Sequence, residues 1–223
     1  MIILTKLAGF LFLFILVLYL IVLPAFGYKV ETSYSEAELQ KINEGPKKFQ
    51  LSIGLALIHN ISVITLTIIL FIVFGLPPYN IILGIVLLIC RIGEGLILIY
   101  NDKNYWGFLN IARKYSGARG DEKNSLSDLA RTINKTNSSR FKFAMILWSI
   151  GSLAFSIVLV TYGVHLFIGL LGIVASILIG FGNGIELRKP SFKTKRSFQV
   201  LTVIGGLSAI IFEVILGVFL LFF

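Results

Sequence analysis

Charged residues are scarce in this chain of 223 residues. Asp, Glu, Lys and Arg together make up 14% of it, whereas ordinary globular domains contain about 25%. So few charges cannot cover a surface that faces water, which excludes a soluble globular domain. Hydrophobic residues make up 57% of the chain, and the mean hydropathy is +0.91. Lipid must therefore be the solvent for most of this protein.

Cysteine and the common catalytic motifs are also scarce or missing. The single cysteine, Cys90, lies inside an apolar run and can form no intrachain disulfide. The sequence contains no Cys-x-x-Cys, His-Glu-x-x-His or Gly-x-Ser-x-Gly motif and no phosphate-binding loop. The two histidines, His59 and His165, are far apart in the sequence, so no metal site is expected. We predict a protein that is not an enzyme and needs no cofactor.

Six apolar runs are each long enough to cross a bilayer, which takes about 20 residues per helix. The second and third runs are separated only by Pro77-Pro78, and the fourth and fifth only by a turn near Gly163. Each pair should form a tight antiparallel hairpin. The sequence predicts an all-α, polytopic membrane protein with a single bundle of six transmembrane helices, which cover about residues 3–26, 51–76, 79–100, 141–162, 164–185 and 198–223.

The positive charge is concentrated in three connections. Residues 28–48 hold four lysines, residues 101–140 hold eight Lys or Arg, and residues 186–197 hold five. With six spans, all three connections lie on one side of the membrane. The positive-inside rule places them in the cytoplasm and both termini outside, in a multi-pass protein of the cell membrane. This location of the charge explains the net charge of +9 without nucleic acid as a partner.

The long cytoplasmic connection, residues 101–140, shows helical periodicity. Asn104–Ser116 presents apolar residues on one side, and a second helix is predicted to begin at Ser125, where Asp128 follows three residues later as in a capping box. A charged turn at Gly117–Asn124 would separate them. We predict two short amphipathic helices that lie at the membrane surface.

Ionisable and polar residues interrupt three of the apolar runs. Arg91 and Glu94 lie in the third run, Glu213 in the sixth, and His59 and Asn60 in the second. Placing a charge at the bilayer centre costs roughly 2.5–3.5 kcal/mol on insertion scales, so these side chains should face protein or water. Counting about 1.5 Å per residue puts them at similar depths. We predict one cluster, in which Arg91 pairs with Glu94 and with Glu213.

Two interpretations of this cluster remain open. It could be a structural ion pair that determines how the helices dock, or it could be a proton or ligand site, because two carboxylates share one arginine and one of them lacks a full partner. The first interpretation predicts an accessory or binding subunit with membrane lipids, partner membrane subunits or a second copy as its partners. The second predicts a small proton-coupled transporter or channel.

A basic segment connects the last two apolar runs. It could contact anionic lipid headgroups, although orientation by the positive-inside rule explains it equally well. The residues predicted for headgroup contact are Arg188, Lys189, Lys193, Lys195 and Arg196.

One local pattern resembles a known family. In Gln50–Tyr100 a helix dotted with polar residues leads through a short turn into a helix that carries Arg91-Ile-Gly-Glu94. This pattern resembles prokaryotic six-span membrane proteins classed as a domain of unknown function, family 4386. The resemblance implies an integral membrane protein with six spans and implies no particular activity.

Overall fold

The computed structural model describes residues 1–28 and 36–222, and within these ranges the secondary structure is helical without strands. The predicted all-α class is therefore confirmed. Residues 29–35, which belong to the first basic connection, and Phe223, which ends the sixth predicted span, lie outside the described residues.

Seven long or medium helices follow one another along the described chain. Six of them are long and apolar enough to cross a membrane, and the short helix α2 is the exception. A π-helical turn at Leu18–Val22 interrupts the first helix, and a 3-10 turn at Pro190–Thr194 precedes the last. The helices are α1 (Ile2–Ala25), α2 (Glu36–Glu44), α3 (Pro46–Phe74), α4 (Ile81–Tyr115), α5 (Gly120–Thr161), α6 (Leu166–Arg188) and α7 (Arg196–Phe222).

Local signals in the sequence start several of these helices. Pro46 occupies the first turn of α3, where its missing N–H costs nothing. The side chain of Asn80 caps α4 by accepting hydrogen bonds from the backbone N–H groups of Ile82 and Leu83 at 3.0 and 3.2 Å. His165 caps α6 in the same way and accepts from the N–H of Ile168 at 3.3 Å. These caps define the two short hairpins that the sequence predicts.

The six spanning helices form a closed bundle. Each span packs against the span that follows it in the sequence, and α1 packs against α7. Close approach of α1 and α7 depends on Gly9, because a Cβ there would lie 2.6 Å from the carbonyl oxygen of Gly217. The most apolar stretches of α3 and α5 are 56% buried, whereas that of α7 is 28% buried. The bundle interior is therefore built mainly around α3 and α5.

The predicted pair of short surface helices is wrong in its arrangement. The segments are helical, but α4 runs without a break to Tyr115 and α5 begins at Gly120. No proline or glycine interrupts the chain between the span and the predicted helix at Asn104, so the helix continues. Ser125 does not start a helix, because it lies inside α5. Its hydroxyl donates a hydrogen bond to the carbonyl of Asp121 in the preceding turn at 2.9 Å. The charged turn shrinks accordingly to residues 116–119.

These extensions and α2 form a small lobe with its own apolar core, which we call the hairpin lobe (α2, residues 101–115 of α4 and residues 120–140 of α5). Leu39 and Ile42 of α2 are buried against the extended α4. The same core continues into the spans through Leu23, Phe49 and Ala56, which anchors the lobe to the bundle. The apolar face of the connection thus packs against protein, while the sequence had predicted contact with the membrane surface.

Replacement of Phe108 by Ala should destabilise the protein strongly. Phe108 is 0% exposed in the hairpin lobe, and truncation of a buried Phe typically costs about 3–5 kcal/mol. Trp106 on the same helix is 47% exposed, so Trp106→Ala is the matched control and should cost less than about 1 kcal/mol. Thermal unfolding in detergent measures both. Equal effects of the two substitutions would contradict the continuous hairpin and favour helices that lie on the membrane.

Candidate functional site

The ion pair predicted within α4 is present. Arg91 Nη1 lies 2.6 Å from Glu94 Oε2, one helical turn further along, and the two residues are 6% and 3% exposed. Gly151 of α5 makes room for the arginine, because a Cβ at that position would lie 2.8 Å from Arg91 Cγ. The side chain of Arg91 therefore runs along α5 inside the bundle.

Glu213 joins this pair through a residue that the sequence analysis missed. The indole N–H of Trp148 donates a hydrogen bond to Glu213 Oε1 at 3.1 Å, and the guanidinium carbon of Arg91 lies 5.8 Å from the centre of the indole ring. Among the described residues no ion pair joins Arg91 to Glu213, so the predicted direct pair is wrong. We call Arg91, Glu94, Trp148 and Glu213 the ionic cluster.

Trp148 was detectable in the sequence. It lies inside the fourth apolar run, where a buried indole N–H needs an acceptor. Its position along α5 gives it a depth similar to that of Glu213 at about 1.5 Å per residue. The reason that it was overlooked is that a Trp within a span also packs as an apolar ring. Only the tertiary packing that brings the side chains of α5 and α7 within reach of each other determines which carboxylate it meets.

His59 and Asn60 belong to a second group, which corrects the prediction of one common cluster. His59 Nδ1 lies 3.0 Å from Asn60 Oδ1, and Asn60 Nδ2 donates to Asp102 Oδ2 at 2.9 Å. The hydroxyl of Tyr28 donates to the other oxygen, Oδ1, of Asp102 at 2.6 Å. We call His59, Asn60, Asp102 and Tyr28 the aspartate group. Asp102 lies in the predicted cytoplasmic connection of residues 101–140, and the continuation of α4 through this region buries it.

A small cavity borders the aspartate group. Its volume is about 20 Å³, which is sufficient for one water-sized species. The cavity lies where α1, α3, α4 and α5 meet, between the spans and the hairpin lobe. Its polar lining residues are Tyr19, Tyr28, His59, Asn60, Asn101 and Tyr105. Buried polar residues of both α3 and α4 line this cavity. The residues of the ionic cluster do not line it.

The basic segment between α6 and α7 lies at the surface. All five residues predicted to contact lipid headgroups are exposed. Lys193 Nζ lies 3.6 Å from Glu186 Oε1, which Lys142 of α5 also contacts at 2.8 Å, and Lys195 Nζ lies 4.1 Å from the ring centre of Phe192. The exposed positions are compatible with headgroup contact, which stays a prediction.

Comparison with known proteins identifies the family. A family model described as "Domain of unknown function (DUF4386)" matches residues 7–223. The chain therefore belongs to this family, and the match extends the resemblance seen around Arg91 and Glu94 to nearly the whole sequence. No curated protein and no solved structure matches the chain.

Loss of the indole N–H should weaken the contact between α5 and α7. Trp148→Phe leaves a carboxylate oxygen of Glu213 without its donor, which should cost about 1–3 kcal/mol of unfolding free energy. The exposed Trp106 provides the control Trp106→Phe. A double-mutant cycle with Glu213→Gln, followed by unfolding in detergent, should yield a coupling energy of about 0.5 kcal/mol or more. Strict additivity would mean that the two side chains do not interact.

Proposed function

We propose that this member of the DUF4386 family is a non-enzymatic accessory or binding subunit of the cell membrane. In this proposal the ionic cluster holds α4, α5 and α7 in one arrangement. The observation that carries the proposal is the hydrogen bond of 3.1 Å from the indole N–H of Trp148 on α5 to Glu213 on α7, with the guanidinium of Arg91 on α4 5.8 Å from the centre of the same indole ring. The contact of 2.6 Å between Arg91 and Glu94 lies within α4 and pairs the charge of the arginine, while the contacts of Trp148 join the three helices and suit a role in helix docking.

The position of Glu213 on α7 supports the proposal that another molecule packs against this helix. It is only partly buried, and it lies well inside the apolar length of α7, where the bilayer offers a carboxylate no polar partner. A partner membrane subunit, a second copy of this chain or a lipid headgroup drawn inward could supply a donor. Membrane lipids would cover the rest of α7, which exposes apolar residues such as Val203 and Leu207.

We also propose an orientation of the protein in the membrane. The end of the bundle that carries the hairpin lobe also carries the segment between α6 and α7, since the spans alternate in direction. Both regions are rich in Lys and Arg, whereas the turns near Pro78 and Gly163 contain neither. By the positive-inside rule we place the hairpin lobe in the cytoplasm and both termini outside.

A small proton-coupled transporter or channel is the second candidate function. It is favoured by the unequal pairing of the two glutamates. Glu94 contacts the guanidinium of Arg91, whereas the hydrogen-bond donor to Glu213 is the neutral indole of Trp148. Two carboxylates near one arginine leave a position at which a proton can bind and leave.

Native mass spectrometry of the protein in detergent should reveal stoichiometric additional mass from a partner chain, a second copy or retained lipid. The complex should weaken in Glu213→Gln, because the amide lacks the charge that attracts a cationic donor. Glu186→Gln is the control, since Glu186 pairs with Lys142 outside the ionic cluster.

Proton flux into proteoliposomes separates the two candidate functions. A binding subunit should give no flux above that of protein-free vesicles. A flux that Glu213→Gln abolishes and Glu186→Gln preserves would overturn the subunit proposal and support the transporter.

Cysteine labelling in intact cells should report the orientation. Cys90 is the only cysteine, so Cys90→Ala gives a clean background. In it, Tyr162→Cys, at a side chain that is 43% exposed, should react with a membrane-impermeant maleimide, because it lies outside the cell. Lys193→Cys should react only after the cells are permeabilised. Labelling of Lys193→Cys in intact cells would reverse the proposed orientation.

A further inference from the structure

Asp102 is a buried carboxylate whose charge is not balanced by a cationic side chain. The residue is 4% exposed. Its two oxygens accept hydrogen bonds from the hydroxyl of Tyr28 and the amide of Asn60, which are neutral donors. Within residues 1–28 and 36–222 no ion pair to Asp102 is formed. A counter-charge close by would stabilise the ionised carboxylate, because hydrogen bonds from neutral groups offset only part of its desolvation.

The neighbouring Asn101 has an oxygen that lacks a donor. The residue is 4% exposed, and its Nδ2 donates to the carbonyl of Asn137 at 3.1 Å. Its Oδ1 is buried and has no hydrogen-bond partner. A buried acceptor without a donor destabilises the fold. Asn101 lines the small cavity, so a species inside the cavity could satisfy it.

The lining of the cavity selects for a cation. It offers amide, imidazole and phenolic groups and has no Lys or Arg, so an anion would find no cationic partner there, whereas a cation would lie near the carboxylate of Asp102. Tyr28 and Asn60 line the cavity and also donate hydrogen bonds to Asp102. The carboxylate therefore lies just outside the cavity lining.

The volume of the cavity and the groups available as ligands limit which cation it can bind. A volume of about 20 Å³ admits one water-sized species and excludes organic ammonium ions. Ca²⁺ takes six to eight oxygen ligands, usually with several carboxylates, whereas the described lining residues include no carboxylate and Asp102 reaches the lining only through Tyr28 and Asn60. Among the described residues no group of three His, Cys, Asp or Glu side chains could hold a transition metal.

We propose that the cavity between α1, α3, α4 and α5 binds one monovalent cation of the size of sodium. Asn101 Oδ1 is a direct ligand, and Asp102 balances the charge of the ion through Tyr28 and Asn60. Because the bound ion touches residues of the spans and of the hairpin lobe, it ties the lobe to the bundle. The site is separate from the ionic cluster and does not depend on the proposed subunit function.

Thermal unfolding of the full chain in detergent tests the site. NaCl is compared with choline chloride at constant ionic strength. Sodium should raise the Tm of the wild-type protein by about 5 °C or more at a concentration a hundredfold above its Kd. Asp102→Asn keeps the shape of the side chain but removes its charge, and it should abolish the rise. Asp128→Asn is the matched control, because the Asp128 side chain is 75% exposed, and it should keep the rise.

Binding of ²²Na⁺ to the purified wild-type chain provides a readout that does not depend on the folding of a variant, and one ion per chain is expected. Asn101→Leu should reduce this binding at least tenfold. Equal Tm values in sodium and choline would mean that the cavity holds water only, which overturns the proposal. Absence of ²²Na⁺ binding, or a sodium-dependent rise that survives in Asp102→Asn, would overturn it as well.

Discussion

A polar side chain inside an apolar helix bundle must find its partner within the protein, because lipid offers none. In this chain that requirement acts most strongly on α4, which carries three of the four charged residues that are buried in the described part of the chain. Arg91, Glu94, Asn101 and Asp102 all lie on this helix and are all buried. Their partners on other segments come from α5, α3 and the residues just after α1, through Trp148, Asn137, Asn60 and Tyr28. The polar side chains of α4 thus determine which neighbours surround it, while the apolar core supplies most of the buried area.

The two polar groups differ in how their charges are balanced. The ionic cluster contains its own cation and lies beside well-packed apolar residues of α5 and α7. The aspartate group contains a carboxylate with neutral donors, and it borders a cavity at the junction with the hairpin lobe. A paired charge stabilises one arrangement of helices. An unbalanced charge beside a cavity is the arrangement expected of a binding site. The structure therefore places a paired charge and an unbalanced charge at different points along one helix.

Much of the architecture could be predicted from hydropathy alone. Six spans follow from run lengths, and the hairpins at Pro78 and Gly163 follow from turn residues. The pair Arg91–Glu94 follows from helical spacing, since residues three apart on a helix are neighbours. The ends of α4 and α5 could not be predicted in this way. An amphipathic helix that faces a membrane and one that faces another helix have the same pattern of apolar residues, and only the presence of α2 and of the opposite extension decides between them.

The sequence by itself determined the solvent, the number of spans and the family to which the chain belongs, because these depend on composition and on local order along the chain. Tertiary structure decided that Trp148 stands between Arg91 and Glu213, and that His59 and Asn60 turn toward Asp102. Depth along a helix can be counted from the sequence at about 1.5 Å per residue. The rotation and tilt of each helix are set only when all six spans pack together. They determine which of several partners at similar depth a side chain contacts.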